Sequence, residues 1–490
     1  LLDKVGGNYQ YLNNSTGLIK VYNYYASTNI GIGAVAGRLQ YEKVKQGETG
    51  TEIKVKEYKY TSRTGGSITI YPLSQVTDYR SDAGGGSDGV TTQFGYTWQG
   101  STVAVNQKTT TWPAVTTGQH GSGSTTGRVE VFDSYGNRTW LKDERGFIFR
   151  WKYDASTGAL TQKIEDVNTS LVGDEPAGWT TPAGGGLHLI TDYTSDGLGR
   201  ITEEKGPAHT IDVGGTAISV RSCKWWVYKD SLLQRLEGRG WQKVSDSSYT
   251  LVNPVKITQY DSNTRRTEAI EAVRASTSGK LTSSDTFAQS TYTRWRKWGY
   301  NIDNQITSEK LYHNIPGSGS GSQGTNYDES ATAYSNMGRR IRSTTLAGTI
   351  HWTVYHPKGW VLERWMGTND TGATESNPGG GGGANNMKQV TAYQYDGNSA
   401  GGDGNRTKET KYANASSARV MDYGYDFRNR RTSADGEEDF YEAYTYDNLN
   451  RLTLTEQKNT TSGGALVAKK ATAYDNRGRT YLVENYSVVS

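Results

Sequence analysis

Apolar and polar residues alternate over much of this chain, and where the alternation stops a turn signal stands. The cleanest stretch is 128–166. Val129 and Val131 alternate with Glu130 up to Phe132-Asp133, and Ser134-Tyr135-Gly136-Asn137 then turns the chain. Residues 138–144 return and Arg145-Gly146 turns again. Over 147–154, Phe147, Phe149, Trp151 and Tyr153 share one face, while Ile148, Arg150, Lys152 and Asp154 share the other. A period of two marks a half-buried antiparallel strand, so the segment reads as a β-meander. The same alternation returns over 350–365 and 440–456. Helical signals are weak. Only 268–275 carries a short run of helix formers, and it is read as strand or loop.

At the strand ends one phrase recurs: aromatic, Asp, two variable residues, Gly or Asn, Arg. It stands as Tyr425-Asp426 with Asn429-Arg430, Tyr446-Asp447 with Asn450-Arg451, and Tyr474-Asp475 with Gly478-Arg479. Looser copies are Phe132-Asp133, Tyr153-Asp154, Tyr260-Asp261 with Arg265, Tyr334 with Gly338-Arg339, and Tyr395-Asp396. The steps from Phe132 to Tyr153, Tyr334 to Tyr355 and Tyr425 to Tyr446 are each 21 residues. A short fixed period means stacked supersecondary units. Each part of the phrase has a physical use. The aromatic ends an outgoing strand, and Asp opens a type I turn by accepting from backbone N–H groups ahead of it. Gly or Asn takes the positive-φ position of a bulged hairpin. Arg opens the return strand, placed to pair with Asp or lie on an aromatic face.

Composition supports a thin sheet. Only 33% of residues are hydrophobic, with Gly 60 and Tyr 34 against Phe 7 and Met 4. That is too little aliphatic material for thick cores and too aromatic for a disordered chain. Basic and acidic residues number 54 and 50, interspersed without a basic block, so a nucleic-acid stripe is not expected. No apolar run is long enough for a membrane helix. Gly/Ser-rich stretches at 84–89, 118–127, 184–186, 317–324 and 379–383 interrupt the repeats and are read as surface loops. Residues 1–127 carry the phrase least and are expected to form a divergent β-rich region or cap. Residues 128–490 are expected to hold the repeats. A first residue other than Met, and a last segment that reads as a strand, give the expectation of a piece of a longer chain.

The phrase, followed by Leu-Thr or Thr at about 21-residue steps, resembles that of the YD-repeat (RHS-repeat) family. The resemblance covers about 128–490. It implies antiparallel β-hairpins wound as a continuous spiral strip or partial shell, with negligible helix. Family members are toxin shells, wall-associated proteins and teneurin-like adhesion proteins, secreted or displayed on the cell surface. In the toxin shells the family's chemistry is a C-terminal autoproteolytic core, but no Asp-Pro-x-Gly-Leu signature occurs in this chain. An open strip, or one completed by other subunits or further chain, is therefore expected.

Other chemistry finds little footing. The histidines His120, His188, His209, His313, His351 and His356 show no zinc spacing. Gly85-x-Ser87-x-Gly89 matches a nucleophile elbow but lacks the strand and helix that would frame it. Gly319, Gly321 and Gly324 match a dinucleotide fingerprint in an equally bare tract. Asp396, Asn398, Asp403 and Asn405 are weak Ca²⁺ candidates, better read as turn residues. Cys223 reads as a small buried apolar residue. Trp225-Trp226 and Trp295/Trp298 are either a sugar platform or, at strand period, packing between hairpins. Sequons fall at Asn14, Asn137, Asn168, Asn369, Asn405, Asn414 and Asn459. The sequence thus points to a non-enzymatic structural or adhesive protein outside the cell, without cofactor. Its expected partners are copies of itself or the rest of a longer chain, with a surface glycan or protein as a further partner. The rivals are a segment of a hollow toxin-delivery shell and a glycan-active protein. A glycan hydrolase would need two carboxylates facing across a cleft walled by Trp.

Overall fold

The computed structural model describes residues 2–5, 8–11, 17–398, 403–414, 417–436 and 440–487; for 2–5, 8–11, 398 and 414 it describes the backbone alone. Asn14 lies outside the described residues. The chain is all-β: 55% is strand, and the described residues hold short 3₁₀ turns but no α-helix. The expected fold class holds, and the helix formers at 268–275 fall largely on the strand Arg266–Ala272.

The chain divides into two compact units. One comprises Leu1–Arg138, Tyr355–Arg364 and Gln389–Ser490, the other Thr139–Val354 and Trp365–Lys388. Within the second, each strand from Ile148–Tyr153 to Ile350–Tyr355 pairs antiparallel with its neighbour in sequence. In a strict meander, turns fall on alternate edges. The phrase turns near 196–200, 261–265, 301–305 and 335–339 therefore share one edge, and the loops 166–188, 273–291 and 313–326 share the other. The first unit follows the same rule. Strand Thr126–Phe132 pairs with Val105–Trp112, so the N-terminal strands join their neighbours by the same ladder as the repeats.

Aliphatic material is scarce, and the core of the second unit is assembled from one face of adjacent strands plus the long loops. Cys223, Trp225, Leu236, Leu251, Val255, Ile257, Ile270, Trp295, Tyr312 and Tyr327 form one cluster, and Leu281, Phe287 and Ile315 from two loops close over it. Trp295 stacks on Tyr312 at 4.1 Å. A smaller cluster gathers Ile350, Trp352 and Met387, with Trp365 against them. The loops expected at the surface are in part lids.

Gly240 shows how tight the packing is. A Cβ there would lie 2.0 Å from the Thr250 carbonyl oxygen and 2.7 Å from the Trp225 ring. Trp225 is buried, so neither neighbour can yield cheaply. Overpacking of a fixed core costs about 1–3 kcal/mol. Gly240→Ala should therefore lower the free energy of unfolding measured in urea by that much, while Gly317→Ala, at an ordinary φ with open space around it, should cost little. A loss at Gly240 no larger than at Gly317 would overturn the packing account.

Candidate functional site: the hairpin turns and their seam

The turns are built alike. Asp261 Oδ1 accepts the N–H of Asn263 at 2.9 Å and of Arg265 at 3.0 Å, and Oδ2 takes Arg265 Nε at 2.7 Å. Asp426 repeats this with Arg428 and Arg430, Asp447 with Leu449 and Arg451, and Asp475 with Arg477 and Arg479. Asp133 binds the N–H groups of Tyr135 and Asn137, and Ser335 Oγ does the same work before Arg339. The residue before the closing position is left-handed throughout: Gly136, Thr264, Gly338, Asn429, Asn450 and Gly478 have φ between 62 and 87. Partial burial acts to raise the pKa of Asp133, Asp261 and Asp475, but the donors around each carboxylate outweigh it and hold all three below the ordinary value. Ser156 and Thr157 hold Asp154 down to about 2.

The arginine serves the next repeat as well as its own turn. Arg265 lies over the Tyr300 ring at 5.0 Å, Arg430 over Tyr446 at 5.1 Å and Arg451 over Tyr474 at 4.5 Å. The tyrosine hydroxyl closes the link by donating to the first carbonyl of the preceding return strand. Tyr300 reaches Arg266 O at 2.7 Å, Tyr334 reaches Ile306 O at 2.9 Å, Tyr425 reaches Arg406 O at 2.9 Å, and Tyr446 reaches Arg431 O at 2.8 Å. Tyr60 and Tyr96 make the same bond to Leu39 O and Leu73 O. Residues 1–127 thus contain the staple without the Asp and Arg that make it legible. A hydroxyl two strands away has no sequence signal beyond strand period.

The two variable positions of the phrase, which the sequence leaves unassigned, carry the longest-range contacts. In the first unit Asn448 is 1% exposed. Its Nδ2 donates to Lys54 O at 2.9 Å and Tyr79 O at 2.7 Å, and its backbone N–H reaches Arg80 O at 3.2 Å. Its Oδ1 accepts from Arg428 at 2.8 Å. Asn476 donates to Ala114 O at 2.6 Å and accepts from Arg80 at 2.8 Å. Arg477 reaches Pro113 O and the Thr126 hydroxyl and lies over Trp112. The phrase edge of the last repeats is therefore seated on the opposite edge of the N-terminal strands. In the second unit the same variable positions hold Leu198, Leu232, Ile302 and Met337, exposed at 77%, 59%, 95% and 70%.

The remaining candidates stay apart. Gly85 and Ser87 lie between two strands, Gly89 opens the second of them, and no helix follows. Gly319, Gly321 and Gly324 lie in the 313–326 loop. Asp396 accepts from the N–H groups of Gly404 and Asn405, as a turn residue does. No metal-holding group of His, Cys, Asp and Glu occurs among the described residues. Cys223 is buried, and its thiol is pushed up to about 11 by burial and Glu203. Trp225 and Trp295 are core residues, while Arg266 covers the Trp298 ring at 4.0 Å.

One cleft of about 350 Å³ does bring carboxylates beside Trp225. Asp196 and Glu203 line it, together with Lys280 from the 273–291 loop. Glu203 accepts from Trp225 Nε1 at 3.1 Å and Lys280 Nζ at 2.7 Å. Asp196 caps its own turn; burial works to raise its pKa, but Arg200 and two backbone N–H groups hold it below the ordinary value. A carboxyl held low in this way does not suit the general-acid role, which needs a raised pKa.

Two outcomes follow from this geometry. Asn448→Ala strands two carbonyls and the NH2 group of Arg428, and an unsatisfied buried group costs about 1–3 kcal/mol. Hydrogen exchange should quicken across strands 53–60 and 73–79 and leave the second unit unchanged. The depressed carboxylates set a pH dependence. Their stabilisation is complete above the unfolded carboxylate pKa of about 3.9 and is lost as pH falls through the lower folded values. Urea midpoints should fall below about pH 4, and Asp261→Asn with Asp475→Asn should flatten that fall.

No family model matches the chain, and no curated protein matches it. Among solved structures, the crystal structure of TcdB2-TccC3 aligns at 13% identity and a TM-score of 0.33, covering 95% of this chain and 23% of that one. The Photorhabdus luminescens Tc holotoxin pore aligns at 15% identity and a TM-score of 0.32, covering 96% and 23%. A porin-like protein from Bacteroides uniformis aligns at 11% and 0.14, covering 55% and 88%. The chain spans about a quarter of the length of the Tc structures it matches, and scores this low assign no family.

Proposed function

We propose that the chain is a non-enzymatic architectural segment, a β-hairpin strip that packs edge to edge with further layers of the same construction. The observation that carries this reading is the seam at Asn448. A residue free to vary for the purposes of its own hairpin spends its side-chain amide N–H groups on backbone carbonyls 369 and 394 residues away. Such turns are fasteners between layers. The exposed Leu198, Leu232, Ile302 and Met337 fit the same use. Neighbouring strands are about 4.8 Å apart, so turns recur roughly every 10 Å along one edge, and four of them carry an apolar tip, with the polar Ser262-Asn263 turn standing between Leu232 and Ile302. Contiguous exposed apolar groups on a soluble chain mark contact surfaces.

Placement outside the cell, and the partners expected there, rest on the resemblance of the Tyr-Asp phrase to secreted and surface-displayed repeat proteins. A segment of an encapsulating shell needs the same fastened layers and separates from an open wall only by whether the layers close. A glycan hydrolase would need Glu203 as its acid, and that carboxylate is taken by Trp225 Nε1 and Lys280 Nζ.

Light scattering and negative-stain microscopy of the purified chain test the proposal. The expected result is concentration-dependent association into ribbons or closed particles. Replacing Leu198, Leu232, Ile302 and Met337 together by Ser should shift the chain toward monomer with its β circular dichroism unchanged. A wild-type chain that stays monomeric at high micromolar concentration would refute the layering role of this edge.

A further inference from the structure

Beside the seam, within the first unit, lies a cavity of about 200 Å³ whose polar wall includes Lys20, Tyr22, Glu42, Lys43, Arg428 and Asn450. Its donors outnumber its acceptors. Arg428 spends NH1 on Asn448 O at 3.0 Å and NH2 on Asn448 Oδ1 at 2.8 Å, both neutral acceptors. Its Nε–H is buried without an acceptor. Among the described residues, Lys20 Nζ, Tyr22 Oη and Asn450 Nδ2 have no partner either. Lys43 is paired with Glu52 at 2.8 Å. The one carboxylate on the wall, Glu42, takes the Tyr58 hydroxyl at 2.6 Å. Beyond the wall, Arg430 acts against the Arg428 charge, and Asp426 and Asp82 act in its favour.

A buried charged donor without an acceptor costs more than a neutral one, and each such group calls for an explanation. Water can accept one N–H, but several donor residues lining one space, two of them cationic, suit a multidentate acceptor. Guanidinium and ammonium groups with amide N–H are the donor set that tetrahedral oxyanions take. The space suffices, since one water in the liquid occupies about 30 Å³. We infer that this cavity binds a phosphate- or sulfate-type oxyanion, held by Lys20 and Tyr22 from the N-terminal layer and by Arg428 and Asn450 from the last repeats. Such an anion would bridge two segments about 400 residues apart in sequence. It would supply the negative charge that the Asn448 contacts do not.

The test uses the full chain, with thermal unfolding followed across a phosphate titration at ionic strength held constant with sodium chloride. A saturable rise in Tm is expected with inorganic phosphate, because a ligand that binds only the folded state stabilises it by mass action. Lys20 is exposed and unpaired, so Lys20→Gln should fold normally while weakening the apparent phosphate affinity about tenfold, the worth of one charge-assisted contact. Arg428→Met should abolish the rise; if that variant does not fold, Lys20→Gln decides alone. A parallel arm with glucose 6-phosphate separates a free anion from a phosphoester: stabilisation by the ester as well assigns the site to esters, and stabilisation by inorganic phosphate alone assigns it to the free ion. No saturable rise above the chloride control, or one unchanged by Lys20→Gln, would overturn the assignment and leave water as the occupant.

Discussion

A hairpin in this chain is incomplete until the next one arrives. Many return strands begin with a carbonyl that accepts the hydroxyl of the following tyrosine. The arginine that closes the turn spends one side of its guanidinium on its own Asp and lays the other over that same tyrosine ring. Stability is then a sum of nearest-neighbour terms, as in other repeat proteins. With 33% hydrophobic residues the chain has little else to draw on, so hydroxyls, rings and guanidinium groups take the place of aliphatic volume.

The same economy governs the two edges. Where the last repeats meet the N-terminal strands, the turn positions are Asn and Arg, because the surface they cover is backbone carbonyl and needs donors. Among the second unit's turns, four carry an exposed Leu, Ile or Met at one of those positions. The opposite edge carries the long loops. Two of them fold back as lids, completing cores that single-layer strands cannot build alone.

Much of this was legible. Strand period and the Tyr-Asp phrase indicated the all-β meander, the turn positions and the left-handed Gly or Asn, because these follow from local backbone chemistry. Three features were not. The Tyr60 and Tyr96 staples lack the Asp and Arg that flag the others. The Asn448 and Asn476 contacts join positions hundreds of residues apart, and nothing local distinguishes them from ordinary turn asparagines. The lid role of 273–291 depends on Leu281 and Phe287, two apolar residues in a polar stretch. In each case the partner is set by the third dimension, which a periodicity does not encode.

The division of labour between edges has a consequence for how such a chain can change. A meander sends every second connection to the same side, so residues added to 166–188, 273–291 or 313–326 lengthen one border and leave the spacing of the other untouched. Loop closure entropy grows only with the logarithm of length, so such growth costs little. One border is thus free to acquire new surface while the other keeps the fixed pitch that edge-to-edge contact requires.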